Sequence, residues 1–472
     1  VFINYHEHME TAAKSIPAQG TLEQLIDALE HGLIERRNQI RLMFLAALAG
    51  EHTLLVGPPG TAKSELARRL HLAFRDARYF ERLLTRFSVP EELFGPLSIA
   101  ALEQDRYERQ TAGFLPEAGI AFIDEVFKAN SAILNALLTL LNERQFDNGA
   151  GRQACPLISV VGATNEVPED EVAEAFFDRF LLRLPVTVVS GAGFARLLDL
   201  DDLPAPPPFV PLAGDDLAGI TAAIRTVVLA PEVAGLLAEL RQRQEEAGIY
   251  VSDRRWVKIV RLLKVAAATE ERREVCLWDL WLLPWCAAPD NDSQQAVAEW
   301  LASRLGVREA AAPPRLSRVV EAFEAEAKLE HEAEDLDYGE DGRLNFAEKE
   351  AWIADAKGAA DALRMGFHKQ RRYGATHIGA RIGQVEDLVL RIDGYRQELA
   401  DYRAGLAAYR ARSLWLDQAF ADRADARLRE VDAALAVLRA RAVAARAQFE
   451  ALPRLARDPG IVPEPVAHES LE

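Results

Sequence analysis

The run Thr53 to Ser64, TLLVGPPGTAKS, sets an apolar, β-branched stretch directly before a Gly/Pro turn and a Lys-Ser pair at a helix start. Residue types in that order can cradle a polyphosphate. Gly57 and Gly60 let the backbone curl around Pro58 and Pro59 with the N–H groups of the loop, those of Thr61 and Ala62 among them, inward, and the following helix aims its positive end at the same spot. Lys63 would reach the β/γ oxygens of a nucleoside triphosphate, Ser64 would offer its hydroxyl to Mg²⁺, and Glu65 falls in the nucleotide-facing first turn. The strict pattern has Gly before the Lys, and here Ala62 stands in that place.

A second stretch, Ile120 to Glu125 (IAFIDE), ends an apolar run in two adjacent carboxylates. A nucleotide hydrolase needs one acid for Mg²⁺, a role for Asp124, and one to orient or deprotonate the attacking water, a role for Glu125. Taken alone, the same residues also fit a strand followed by acids in a helical first turn. A third apolar run, Ile158 to Thr164, ends in Asn165, which sets a polar amide at another carboxyl end of what would be one parallel sheet, the edge where ligands bind in open α/β folds.

The elements that must hold these residues alternate. Helical periodicity over 22–49, 63–76 and 130–144 is interleaved with strands at 53–56, 120–124 and 158–164, which predicts an α/β core with a parallel sheet covered on both faces. The Pro-rich stretch Leu203 to Gly214 reads as a linker, and 215–305 shows helical periodicity only. Farther on, Val385, Leu388, Ile392, Tyr395, Leu399, Tyr402, Leu406 and Tyr409 alternate spacings of three and four, and Leu428 to Leu452 repeat the pattern. This predicts an antiparallel, coiled-coil-like helical hairpin with a bend near 411–425, its tyrosines more simply core than ligand-binding. The expected domains are 1–205, a nucleotide-binding core; 206–305, an all-α lid; and 306–472, a helical C-terminal region.

A formal net charge of −18 over 472 residues disfavours a broad phosphate-neutralising surface, so no nucleic-acid partner is expected. Cys155, Cys276 and Cys286 show no metal-ligand spacing and read as core residues of a reducing compartment. No run of about 18 apolar residues occurs, and the opening VFINYHEHME lacks a basic-then-apolar layout, so no membrane segment and a cytoplasmic location are expected.

Together these motifs resemble an AAA+ ATPase, and more narrowly the MoxR family and its RavA-like branch (regulatory ATPase variant A). The resemblance is carried by GPPGTAKS at 57–64, TRFSVPEELFGPLSI at 85–99, FIDEVFKANSAILNALLTLLNERQF at 122–146, GATNEVPE at 162–169, FFDRFLLRL at 176–184 and YVSDRRW at 250–256. It implies Asn165 as the sensor-1 residue, Arg179 as an arginine finger that completes a neighbouring subunit's site, and Arg254 as sensor 2, with Arg255 competing. Each arginine also fits a surface ion pair. Glu35 and Arg36 would line the adenine pocket. The segment 86–113 matches the family's pore-facing insertion and equally fits a surface hairpin. The resemblance further implies ATP and Mg²⁺ as ligands, a hexameric homo-oligomer, chaperone-like remodelling of a protein substrate, and a von Willebrand factor A domain partner. A nucleotide-gated scaffold, with assembly rather than hydrolysis as the output, is the alternative.

Beyond about residue 310 the chain departs from that branch, which carries a β-rich insert, whereas 310–384 shows no period-2 strands. Asp337 to Glu348 nearly fits a Ca²⁺ loop, with Gly339 in place of the third-position ligand; an acidic turn between solvated helices is the simpler reading.

Overall fold

Strands covered on both faces must be apolar almost throughout, and the runs HTLLV, IAFID and SVVGAT meet that demand. In the computed structural model they become β1 (His52–Val56), β3 (Ile120–Asp124) and β6 (Ser159–Thr164) of one parallel sheet. Residues 16–149, 151–165, 171–199, 206–305, 312–336 and 368–468 are described. Two strands absent from the sequence reading complete the sheet: β2 (Tyr79–Leu83) and β7 (Phe180–Pro185), in the order β2-β3-β6-β1-β7. Edge position explains why β2 was missed, since its residues are mostly half-exposed and form no apolar run.

Helices α1 (Gln19–Glu30), α2 (Arg37–Leu48), α3 (Lys63–Leu72), the short α4 (Glu91–Phe94) and α5 (Ile99–Leu102), α6 (Ser131–Glu143), α7 (Glu171–Phe177) and α8 (Gly191–Leu197) surround the sheet. A hairpin of β4 (Gln145–Asn148) and β5 (Gly151–Ala154) precedes β6. Side chains of Leu54, Ile123, Leu137, Phe176 and Phe180 meet in the core. Gly162 in β6 lies under the Phe180 ring, where a Cβ would come within 2.8 Å of Cζ.

The single helical pattern expected over 22–49 is two helices. Gly32 (φ 73°) and Glu35 (φ 54°) take left-handed backbone between them, which an α-helix cannot continue through. The 86–113 segment holds α4 and α5, and its Arg109 backbone is clipped to the Asn148 side chain of the β4–β5 hairpin (2.6 and 3.2 Å).

A mainly helical section follows, with α9 (Gly214–Ala223), α10 (Pro231–Glu246), α11 (Asp253–Thr269), α12 (Leu283–Ala287) and α13 (Asn291–Arg304), and, against the expectation of helices only, a two-residue parallel pair of β8 (Val228–Leu229) and β9 (Glu274–Val275). Backbone contacts divide the chain into two units. Residues up to Ala302 group with Tyr409–Ala421, and Ser303–Ala408 groups with Asp422 onward. The second unit is built on α14 (Pro313–Glu332) and most of α15 (Ala375–Arg412) and α16 (Gln418–Glu450). Arg396–Asp432, Arg403–Asp425, Arg439–Asp393 and Arg446–Glu386 pair at 2.6–3.0 Å, and as one number rises the other falls, so α15 and α16 run antiparallel. The bend falls at 413–417, inside the expected interval.

Against the expectation of no strands, β10 (Glu334–Leu336) and β11 (His368–Gln370) form a short antiparallel ribbon. Three residues per strand are too few to show a period. The Ca²⁺-like stretch 337–348 lies outside the described residues. Among the described residues no helix is long and apolar enough to cross a membrane.

His52, at the start of β1, is fully buried, and its Nδ1 accepts from the Val160 N–H at 3.0 Å. A second ring proton would have to displace that bond, and burial together with the Arg144 charge holds the pKa well below the ordinary value. The unfolded chain therefore takes up a proton first as pH drops below about 6.5, and stability is lost in that direction. Between pH 7 and 5.5, denaturant-derived stability should fall by about 1 kcal/mol more in the wild type than in His52→Gln.

Candidate functional site

The loop between β1 and α3 is held in a narrow set of backbone shapes. Gly57 passes so close to β7 that a Cβ would sit 2.1 Å from the Val186 carbonyl. Gly60 (φ 78°) and Ala62 (φ 68°) are left-handed, and Ala62 accepts at about 1–2 kcal/mol the conformation for which the general pattern uses Gly. Thr61 Oγ1 bonds back to Pro58 O at 2.9 Å. Lys63 Nζ curls over the loop, donating to Gly57 O (2.6 Å) and Pro58 O (3.0 Å). Burial lowers its pKa, while Asp124 and Glu125 act to raise it.

Because β6 lies between β3 and β1, Asn165 reaches both neighbours. Its Nδ2 donates to Glu125 Oε1 at 2.6 Å, and its Oδ1 lies 3.4 Å from Lys63 Nζ. Glu125 itself is left-handed (φ 51°), its N–H bonded to Asp124 Oδ1 at 3.0 Å. Lys128 Nζ lies 3.2 Å from Glu125 Oε2, a contact that no motif announced. Lysine, amide and two carboxylates, drawn from three separate stretches, thus meet at one edge of the sheet.

Beside them opens a cleft of 560 Å³ lined by Gly32, Ile34, Arg36, Thr61, Glu65 and Leu197, among others. Arg36 is buried and spans three carbonyls: Glu35 O (2.8 Å), Thr61 O (3.1 Å) and Thr187 O (2.5 Å). Glu65 pairs with Arg69, which also holds His31 O. Glu35 turns away from the cleft, accepting from Ser190 N–H (2.7 Å) and Oγ (2.5 Å). Arg36, Pro59 to Ala62 and Glu65 are residues the sequence set at the nucleotide, while His31 to Ile34, Arg69 and Val188, Val189 and Leu197 come from segments that carry no motif. Loop curvature, a convergent ammonium and the cleft fit a nucleoside triphosphate. Ser64 and Asp124 supply oxygen donors of the kind Mg²⁺ prefers.

The family model described as the MoxR domain in the MoxR-vWA-beta-propeller ternary systems matches residues 20–201, and an AAA lid domain model matches 232–301. Protein MoxR of Paracoccus denitrificans is 29% identical over 166 residues, 34% of this chain and 48% of that protein. Two uncharacterized proteins of Methanocaldococcus jannaschii are each 42% identical, over 264 and 251 residues. These matches span 56% and 52% of this chain and 68% and 65% of the relatives' own lengths. The chain belongs to the MoxR family of AAA+ ATPases.

The arginines of this MoxR-family chain are placed differently from the four convergent residues. Arg255 is buried in the first turn of α11, donating to Cys286 O, Asp178 O, Phe180 O and Leu181 O, and so pins the lid to the start of β7. Arg254 is exposed, and neither arginine is among the residues lining the cleft. Arg179 lies 3.5 Å from Asp178 Oδ2; burial lowers its pKa first, and the neighbouring Arg254 charge lowers it further. Arg179 and Arg254 therefore repel one another, and neither lines the cleft.

Arg36→Ala removes the fork that holds the phosphate loop. Bonds to a charged donor of this kind contribute about 1.5–3 kcal/mol, so affinity for a fluorescent ATP analogue should fall by about tenfold or more. Arg36→Lys should fail to restore it, since an ammonium cannot span three carbonyls.

Proposed function

We propose that this chain is a Mg²⁺-dependent ATP hydrolase that works in a ring and remodels a protein partner. The observation that carries the reading is the meeting of Lys63, Asp124, Glu125 and Asn165 at one sheet edge, with the Asn165 amide bridging Lys63 and Glu125. With nucleotide bound, Lys63 Nζ would exchange the Gly57 and Pro58 carbonyls for phosphate oxygens, a swap its three rotatable donors permit. Glu125 would accept a hydrogen bond, and then the proton, from a water that Asn165 helps to orient. Mg²⁺ held by Ser64 and Asp124 would neutralise charge on the phosphate oxygens.

Arg179 and Arg254, whose charges repel and which do not line the cleft, are best used on a neighbouring subunit's nucleotide. Arg179 acts there as the finger, and Arg254 serves in the same place rather than as a sensor within its own subunit. A finger contributes about 10³ to 10⁵ in rate. Six subunits is the proposed ring size, by family likeness. Within the family we favour the MoxR-vWA-beta-propeller type over the RavA-like branch, since the matched model is described in those words. A von Willebrand factor A domain protein and a β-propeller protein are then the proposed partners, and the cytoplasm the proposed location. The core, lid and helical C-terminal divisions at about 205 and 305 go with this reading.

ATP turnover measured against protein concentration tests it. Activity per protein should rise steeply with concentration, and Glu125→Gln and Arg179→Ala should each lose at least 10³-fold. An equal mixture of Arg179→Ala with Lys63→Ala should recover part of the rate, because each supplies what the other lacks. Wild-type turnover in Arg179→Ala, flat on dilution, would favour a nucleotide-gated scaffold instead.

A further inference from the structure

The turn joining α15 to α16 groups with the first unit, and it touches two parts of that unit at once. On the core side, Gln19 Nε2 donates to Arg412 O (2.6 Å), Asn38 Nδ2 to Asp417 Oδ1 (2.8 Å) and Arg41 Nη1 to Leu414 O (2.8 Å). The Phe44 ring meets that of Trp415 at 6.0 Å. On the lid side, Tyr409 OH donates to Asp279 Oδ1 (2.7 Å), and Trp415 Nε1 donates to Thr269 Oγ1 (2.9 Å). Ser413 Oγ and the Leu414 N–H both donate to Glu270 Oε1 (2.6 and 2.8 Å).

The two sides are not equal. Asp279 and Thr269 are fully buried and Glu270 nearly so, whereas the polar partners on the core side, Gln19, Asn38 and Arg41, all keep some exposure and only the apolar Phe44 is fully buried there. Stripping donors from a buried carboxylate leaves desolvated charge, while a half-buried amide or guanidinium that lets go is met by water. The turn therefore holds faster to the lid than to the core. On the core side α2 runs from Arg36, bonded to the phosphate-loop carbonyl of Thr61, past Asn38 and Arg41 to Phe44. The element that meets the turn is thus the one whose N-cap residue, Arg36, touches the nucleotide loop.

We propose that the 409–421 segment is a strap fixed to the lid that shifts over α1 and α2 when nucleotide moves the lid, delivering the ATP cycle to α15 and α16. This rests on the nucleotide reading above. The strap makes the coupling a matter of a few side chains: the bonds of Gln19, Asn38 and Arg41 make and break, while those of Thr269, Glu270 and Asp279 do not.

Spin-label distances on the full chain test it, in Glu125→Gln protein to retain ATP and with Cys276→Ser to leave only buried native thiols. One label goes at Ala419→Cys in the strap, the second either at Glu23→Cys on α1 or at Arg273→Cys in the lid. With ATP, the strap-to-α1 distance should shift by several ångströms while the strap-to-lid distance stays fixed. In Tyr409→Phe/Ser413→Ala protein, which loosens the lid side, the strap-to-lid distance should become nucleotide-dependent. An unchanged strap-to-α1 distance in protein that demonstrably binds a fluorescent ATP analogue would overturn the strap, as would an equal shift on the lid side in the otherwise native strap. Failure to bind the analogue at all would overturn the nucleotide reading, and the strap's role with it.

Discussion

The hydrogen bond from Asn165 Nδ2 to Glu125 Oε1 exists only because β6 is inserted between β3 and β1. Parallel pairing puts the carboxyl ends of all three strands on one edge, so the lysine after β1, the acids after β3 and the amide after β6 have nowhere to go but toward one another. Side chains with opposite charge are thereby packed in a half-buried corner, and the backbone absorbs the crowding. Ala62 and Glu125 both take left-handed conformations that cost a non-glycine residue about 1–2 kcal/mol.

Such strain persists only where the surroundings over-determine it. Here they do so by close approach. Gly57 has no room for a side chain against β7, Gly162 none against Phe180, and Arg36 draws the phosphate loop onto the segment after β7. The apolar core beneath the sheet supplies rigidity, and the polar fork of Arg36 supplies registration. Both are needed for a loop that must present its N–H groups in one arrangement.

Buried polar groups recur wherever two parts of the first unit meet. Arg255 pins α11 to β7 by its carbonyls, and Asp279 gathers Arg272, Tyr409 and the Cys276 N–H. Fully satisfied networks of this kind specify one arrangement more sharply than apolar contact does, because any slip leaves a desolvated charge. They also show why a double arginine at 254–255 has two unlike members. One faces solvent beside Arg179 and the other is spent on the lid's attachment.

Chemistry and periodicity were legible in the chain itself. GPPGTAKS, the Asp124–Glu125 pair and Asn165 follow apolar runs of strand length, and the three-four spacings from 385 and from 428 mark the two long helices, because local pattern and local structure coincide there. Edge strand β2, the break at 31–36, the part of the cleft lining from 188–197 and the ribbon at 334–336 and 368–370 were not legible. Each depends on partners distant in sequence, or on backbone rather than side-chain identity. The burial of Arg255 beside an exposed Arg254, and the grouping of 409–421 with the first unit, were likewise decided only by tertiary structure. Burial is a property of where the chain returns to, and no residue type or spacing records it.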